Sequence, residues 1–273
     1  FFIIDKIMKK ELVVIGCSFS EAYMCYHGPN STRHVTANDG KMPGYVQYDH
    51  LEPYKVWGLH VAEKLNLKLV NLAKSGSGND LIFAKVLDYV SKNHKKIGKV
   101  IIQWTGILRM DFECRQDFSN QWIQLNAGTI PAEGYERGSE DIISVLQKHH
   151  IPNLDSAMNG WLRKVYALQN IFKQLDVDYH FVTGIIELND AMDFYNWNDK
   201  CAKALIASHY FDLIDKDKYI GWPVWSDLGG HCFQDHVRAY PENNDFKYWV
   251  SPEDGHPNKL GHEKIAEVIL NAI

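Results

Sequence analysis

Short apolar runs alternate with amphipathic stretches along most of the chain. Runs rich in β-branched residues predict buried strands over 11–16 (ELVVIG), 67–72 (LKLVNL), 99–104 (KVIIQW) and 177–183 (VDYHFVT). Apolar residues at a spacing of three to four predict helices over 56–65, 79–93, 156–175 and 259–273. This alternation predicts a mostly parallel sheet with helices on both faces.

Three long stretches interrupt the alternation, over approximately 21–54, 106–155 and 184–250. If the strands are parallel, all three leave the edge formed by the carboxyl ends of the strands, where ligands bind in α/β sheets. We interpret them as insertions that build the walls of a site. The whole chain, 1–273, is therefore expected to form a single domain.

Composition excludes several classes of protein. A hydrophobic fraction of 45% with 23% charged residues is ordinary for a globular protein, and no apolar run reaches the ~18 residues that span a bilayer. The net charge of −5, without a basic stripe, argues against nucleic acid as a partner. Five cysteines without a C-x-x-C pair indicate a reducing compartment, and no secretory signal is visible. The expected location is cytoplasmic or virion-associated, without membrane attachment.

A serine follows the first predicted strand, in the segment Gly16-Cys17-Ser18-Phe19-Ser20. Its hydroxyl can point out of the sheet edge, and a helix that starts there turns free N–H groups toward the same point. This arrangement suits a nucleophile whose developing oxyanion needs backbone donors. The alternative is a helix N-cap, a role that Ser20 fits as well.

The second strand runs into a loop with two glycines, Gly76 and Gly78, followed by Asn79. Glycine allows a backbone N–H to approach a ligand closely, but a flexible loop capped by Asn79 explains the same pattern. The loop lacks the spacing of known phosphate-binding motifs.

A histidine, His256, precedes the last predicted helix on what we interpret as a loop, with Glu253 and Asp254 just before it. A carboxylate that close can accept from one imidazole nitrogen and leave the other free as a base. The alternative is a solvated acidic turn before a helix that starts at Pro257-Asn258.

In order and spacing, these three segments resemble the SGNH/GDSL hydrolase family over nearly the whole chain. The resemblance implies a flavodoxin-like three-layer sandwich with a mostly parallel five-stranded sheet, and an esterase that needs no cofactor. GCSF resembles the nucleophile block, which implies that Ser18 is the nucleophile and an oxyanion donor. NLAKSG and EDGHPNKLGH resemble two further blocks, which implies Gly76 as an oxyanion donor and His256 as the base, oriented by Glu253 or Asp254.

The third block departs from the family pattern, in which Gly-x-Asn-Asp follows the third strand. Here the strand ends in Q-W-T-G-I-L-R, without asparagine, and W-T-x-x-x-R resembles a variant of phage and environmental members. The resemblance implies that Thr105, Gln103 or Arg109 replaces the lost oxyanion donor, which typically contributes ~3–4 kcal/mol to transition-state stabilisation. Cys17 also stands where the first block usually has aspartate.

The substrate is expected to be a small acyl ester, with acetyl on a carbohydrate as the preferred example. The third insertion carries eight aromatic residues between 219 and 249, and such rings often stack on sugars or enclose acyl chains. We therefore expect Trp222 and Trp225 to bind substrate together with Asn79, Trp104 and Arg109. The alternative is that the rings pack a small core of the insertion.

Other function classes remain open. The missing asparagine favours a non-catalytic SGNH-fold module that binds a ligand or forms part of a virus particle. A flavodoxin-like nucleotide or flavin binder would leave His256 without a role. His231, Asp235 and His236 have a spacing that fits no standard metal pattern, so no metal is expected. The sequence predicts no oligomeric state.

Overall fold

The structure is a computed structural model that describes residues 10–21, 25–26, 32–33, 54–116, 119–126, 144–145, 148–149, 153–186, 194–238, 245–252 and 254–273. Of some residues in these ranges it describes the backbone alone. Among the helices it describes, none is both long and apolar enough to cross a bilayer.

The central sheet is parallel throughout. Its long strands are β1 (Glu11–Ile15), β5 (Lys68–Asn71), β6 (Ile97–Trp104) and β9 (Tyr179–Thr183), and its two-residue edge strands are β3 (Thr32–Arg33) and β10 (Tyr219–Ile220). The spatial order is β10-β9-β6-β1-β5-β3. All four predicted strands are confirmed, although β9 begins two residues later than expected. The mostly parallel sheet predicted from the alternation is confirmed.

Helices cover both faces of the sheet. They are α1 (Ser18–Glu21), α2 (Trp57–Lys64), α3 (Asn79–Asn93), α4 (Leu154–Gln174), α5 (Phe194–Ala207), α6 (Phe233–His236) and α7 (Lys259–Ala272). Val13 and Ile15 of β1 belong to the core cluster that holds α3 and α4, whereas Leu12 and Val14 belong to the one that holds α2 and α7. Successive side chains of a strand point to opposite faces, so β1 is buried on both sides.

The three predicted insertions follow β1, β6 and β9, whose carboxyl ends share one edge because the strands are parallel. The second insertion contains an antiparallel hairpin of β7 (Arg109–Gln116) and β8 (Ser119–Asn126), which the sequence analysis did not predict. A second small hairpin, β11 (Trp249–Ser251) and β12 (Asp254–Pro257), immediately precedes α7. β12 carries His256, so the expectation that this histidine lies on a loop was wrong. The remaining strands, β2 (Cys25–Tyr26) and β4 (Tyr54–Lys55), pair with each other.

Candidate active site

Ser18 begins α1 directly beyond the carboxyl end of the central strand β1, and only 7% of its surface is exposed. Two side chains fix the helix from outside. The Trp57 indole N–H donates to the carbonyl of Phe19 at 3.1 Å, and the Asn71 amide donates to the carbonyl of Ser20 at 2.8 Å. The backbone that presents Ser18 is therefore held by α2 and by the end of β5.

His256 reaches the same helix from the far end of the chain. Its half-buried ring lies 5.9 Å, centre to centre, from the ring of Phe19, the residue after Ser18. Asn258 fixes the segment that follows β12, because its side chain accepts the N–H of Gly261 at 3.0 Å and so caps α7. The predicted helix start at this asparagine is confirmed.

The second histidine of this segment has a different environment. His262 is 1% exposed, and its Nδ1 accepts the backbone N–H of Trp57 at 3.3 Å. It joins the start of α2 to α7 and lies against the ring of Tyr54 at 5.7 Å. His262 is therefore part of the packing between these helices.

The carboxylate that orients His256 stays a prediction. Glu253 lies outside the described residues. Asp254 is the first residue of β12 and its backbone is in register with Ser251, but its side chain is outside what the structure describes.

The loop between β5 and α3 adopts a conformation that favours glycine. Gly76 has a φ of +75°, in the left-handed region that side-chain-bearing residues rarely adopt. Lys74 N–H donates to the carbonyl of Gly16 at 3.1 Å, and Ser75 N–H donates to the Glu21 carboxylate at 2.5 Å. No acceptor among the described residues takes the N–H of Gly76, so this donor is available at the sheet edge.

Gln103 cannot serve as the oxyanion donor that the resemblance implied. It is fully buried, and its Nε2 donates to the Cys17 sulfur at 3.0 Å and to the Trp104 carbonyl at 3.4 Å. Its Oε1 accepts the hydroxyl of Ser20 at 2.5 Å. A Cβ on Gly16 would lie 2.5 Å from the same oxygen, so glycine makes room for the amide. Gln103 instead anchors the base of α1, and Ser20 is its partner, not a helix N-cap.

Asn79 is likewise engaged within the protein. Its amide donates to the carbonyl of Thr105 at 3.1 Å and accepts the N–H of Thr105 at 3.0 Å. The side chain is 3% exposed. The expectation that Asn79 binds substrate is therefore not met, because this amide hydrogen-bonds the start of α3 to the end of β6.

Asp111, a residue of the unpredicted hairpin, is a further side chain at this edge that was not predicted from the sequence. Its carboxylate accepts the N–H groups of Gly78 and Leu81, both at 2.9 Å, at the start of α3. Burial raises the pKa of Asp111, while these two donors act in the opposite direction. No local sequence pattern predicts such a contact, because the aspartate and the helix it caps are about 30 residues apart.

Thr105 remains a candidate oxyanion donor. It lies just beyond β6, the neighbour of β1, and the pairing of Ile15 with Ile102 brings the two strand ends side by side. The residue is 1% exposed, and its hydroxyl has no hydrogen-bond partner among the described residues.

Two other expected substrate contacts lie elsewhere. Trp104 is fully buried and packs against Phe181, with ring centres 6.0 Å apart, so its indole belongs to the core and does not reach a substrate. Arg109 is the first residue of β7 and is partly exposed beside the same edge; its role stays a prediction.

The aromatic residues of the third insertion pack against the main core instead of forming a core of their own. Trp225 is 3% exposed and packs edge-on against Trp161 of α4 at 6.3 Å. Trp222 packs against Tyr219 at 5.1 Å and lies 6.5 Å from Trp161. Trp225 and Trp161 also line a small cavity at the sheet edge, which Trp222 does not touch.

His231 and His236, which lie outside this edge, contact each other. His236 Nε2 and His231 Nδ1 lie 2.9 Å apart, and burial lowers the pKa of both rings. Asp235 accepts the backbone N–H of Cys232 at 2.7 Å. Within the part of the chain that the structure describes, these residues form no group of three or more metal-binding side chains.

No protein-family model and no curated protein matches the chain. Among solved structures, it is similar to Axe2, an acetylxylan esterase from Geobacillus stearothermophilus, at 14% identity and a TM-score of 0.43, over 98% of this chain and 95% of that one. It is also similar to the psychrotrophic esterase EstA from Pseudoalteromonas sp., at 12% identity and a TM-score of 0.46, over 96% of each chain. A lipolytic protein assigned to the G-D-S-L family from Desulfitobacterium hafniense DCB-2 has 13% identity and a TM-score of 0.45, over 97% and 99%. Values this low transfer neither a site nor an activity, so the fold rests on the strand order described above.

Proposed function

We propose that the protein is a serine hydrolase that cleaves a short-chain carboxylic ester through an acyl-enzyme. The observation that carries this proposal is the meeting of two distant segments at α1. Ser18 begins that helix beyond the central strand, and the ring of His256 lies 5.9 Å from the ring of the adjoining Phe19. A hydroxyl and an imidazole at the carboxyl edge of a parallel sheet are the groups that acyl transfer requires.

In the proposed reaction the Ser18 hydroxyl attacks the ester carbonyl while His256 accepts its proton. The same imidazole then protonates the departing alcohol, and the acyl group stays on the serine oxygen. Water, activated by His256, releases the carboxylic acid and restores the serine. Either Glu253 or Asp254 would accept the second imidazole N–H and stabilise the imidazolium.

The negative charge that develops on the carbonyl oxygen needs nearby donors. We assign this role to the backbone N–H groups of Ser18 and Gly76 and to the hydroxyl of Thr105. Two facts support the assignment: no described residue accepts from the N–H of Gly76, and none pairs with the hydroxyl of Thr105. Because these donors are held by the fold before substrate binds, they need little reorganisation during the reaction.

The acyl group is proposed to be acetyl or of similar length, on a carbohydrate or another small alcohol. A non-catalytic module of the same fold is the competing hypothesis, and a reactive serine separates the two, since only an activated hydroxyl attacks an electrophile.

Hydrolysis of 4-nitrophenyl acetate by matched serine variants tests the proposal. We expect Ser18→Ala to lower kcat by about 10⁴-fold or more, because the nucleophile is lost. Ser20→Ala is the matched control in the same helix; its hydroxyl donates to Gln103 and not to a substrate, so activity should stay within tenfold of the parent. Equal activity of the parent and Ser18→Ala would overturn the proposal.

A further inference from the structure

A small cavity opens at the carboxyl ends of β6 and β9, next to the proposed catalytic edge. Its wall includes Thr105 and Ile107 after β6, Ile185 after β9, Trp161 of α4 and Trp225 of the third insertion. About 10 Å³ of it is open to the centre of a water molecule, which is room for about one water-sized group such as a terminal hydroxyl.

Three buried donors in this wall have no partner in the part of the chain that the structure describes. The indole nitrogens of Trp161 and Trp225 and the hydroxyl of Thr105 make no hydrogen bond with any described residue. The three residues are 2%, 3% and 1% exposed. Leaving such groups unsatisfied is costly, and buried donors in folded proteins almost always find an acceptor. Because the hydroxyl of Thr105 is assigned to the oxyanion, the two indole N–H groups are the donors whose acceptor a ligand can supply.

The surroundings restrict the chemistry of that acceptor. The rest of the wall is mainly aliphatic, and no lysine or arginine among the described residues lines it. A carboxylate bound there would be a buried charge without a counter-ion, which is strongly disfavoured. The complementary group is a short, uncharged chain that carries an oxygen acceptor.

Backbone strain marks the same wall. Val224, which lines the cavity and is fully buried, has a φ of +67°. A β-branched residue in this region is a conformational outlier, and such outliers cluster at ligand sites. The N–H of Val224 donates to the carbonyl of Gly221 at 2.8 Å, which helps to hold it there.

We propose that this cavity receives the acyl chain of the ester and prefers a short chain with a hydroxyl or ether oxygen over a plain alkyl chain of equal length. The proposal rests on the proposed function, because it takes Ser18 as the attacking group. Thr105 connects the two places: it lies beside the end of β1, and it forms part of the cavity wall. A chain that extends from the reacting carbon past Thr105 enters the cavity.

The test compares phenyl glycolate with phenyl propionate, whose acyl chains differ by a hydroxyl in place of a methyl group. The readout is the ratio of the two kcat/KM values, which does not depend on the fraction of folded enzyme. Taking this ratio relative to the parent cancels the different intrinsic reactivities of the esters. We expect Trp225→Phe and Trp161→Phe each to lower it about fivefold, the effect of one lost hydrogen bond. Trp222→Phe, which removes a similarly unpartnered indole N–H outside the cavity, should leave the ratio at the parent value.

A matched pair of phenyl and glycosyl acetates distinguishes the acyl side from the alcohol side. The readout is again a ratio of kcat/KM values, here for phenyl acetate over glucose pentaacetate. If the tryptophan variants change this ratio but leave the glycolate-to-propionate ratio unchanged, the cavity binds the alcohol and the proposal is wrong. An unchanged ratio for both pairs, with hydrolysis still dependent on Ser18, would mean that the cavity holds only water. Hydrolysis that survives Ser18→Ala would instead refute the proposed function itself.

Discussion

Replacement of Asn79 by alanine separates a structural role from a substrate-binding role. The amide is 3% exposed and forms a two-way bridge with the backbone of Thr105, at 3.1 Å and 3.0 Å. Asn79→Ala removes both hydrogen bonds and leaves a buried N–H and a buried carbonyl of Thr105 without partners. The change also frees the end of β6, which carries the proposed oxyanion donor.

The expected loss of stability follows from these two contacts. Each net hydrogen bond is worth about 1 kcal/mol, and a buried polar group left unpaired costs about 1–3 kcal/mol. Because the carbonyl and the N–H can recover part of this through water, we expect the free energy of unfolding to fall by about 2–4 kcal/mol. For a chain of 273 residues, each kcal/mol corresponds to about 2 °C, so Tm should fall by about 4–8 °C.

Urea denaturation and esterase kinetics on the same preparation measure both effects. Asn93→Ala is the matched control at the other end of α3, where the amide of a half-buried Asn93 donates to the carbonyl of Tyr89. We expect this control to lose less than about 1 kcal/mol. For Asn79→Ala we expect a lower kcat with a smaller change in KM. Unchanged stability together with a raised KM would refute the bridge and restore Asn79 as a substrate contact.

Three further changes probe the surroundings of the site. Gln103→Leu leaves the Ser20 hydroxyl without its acceptor, so urea denaturation should show a loss of about 2 kcal/mol. Asp111→Ala removes the acceptor at the start of α3 and should cost about 1–2 kcal/mol by the same assay; an unchanged midpoint would contradict the capping role. Burial, reinforced by the ammonium of Lys99, lowers the pKa of His180 to about 4. An unfolded histidine binds a proton below about pH 6.5, so the free energy of unfolding should fall as the pH is lowered from 6.5 to 4. His180→Gln should remove roughly 3 kcal/mol of that fall. A variant with the same pH profile as the parent would contradict this role of His180.

The spacing of apolar residues was enough to predict the main strands and helices of the fold. The helix predicted over 79–93 is found at those bounds, because its apolar positions repeat with the helical period and its polar positions, apart from the buried Asn79, lie on the other side. The hairpin of β7 and β8 was missed, although RMDFECRQ alternates in part, because a two-stranded unit packed against one helix leaves only a weak alternation of apolar and polar residues. Its docking contact, Asp111, depends on tertiary structure alone.

The candidate site was predictable where topology decides the outcome. Parallel strands bring their carboxyl ends to one edge, so the segments around Ser18 and Gly76 had to converge. The amides of Gln103 and Asn79 were misassigned because the choice between a substrate and a backbone partner depends on distances that sequence does not encode. The alternative that the insertion rings pack a core of their own was wrong for a similar reason: Trp225 contacts a residue of α4 that is 64 positions away.

Localisation of a fluorophosphonate adduct tests the central claim most directly. After incubation with the reagent, peptide mass spectrometry should find one stable phosphonyl adduct on Ser18, formed far more slowly in His256→Ala and absent in Ser18→Ala. The Ser20→Ala protein should label like the parent. A parent that stays unlabelled, or that carries the adduct on another serine, would contradict an activated hydroxyl at the start of α1.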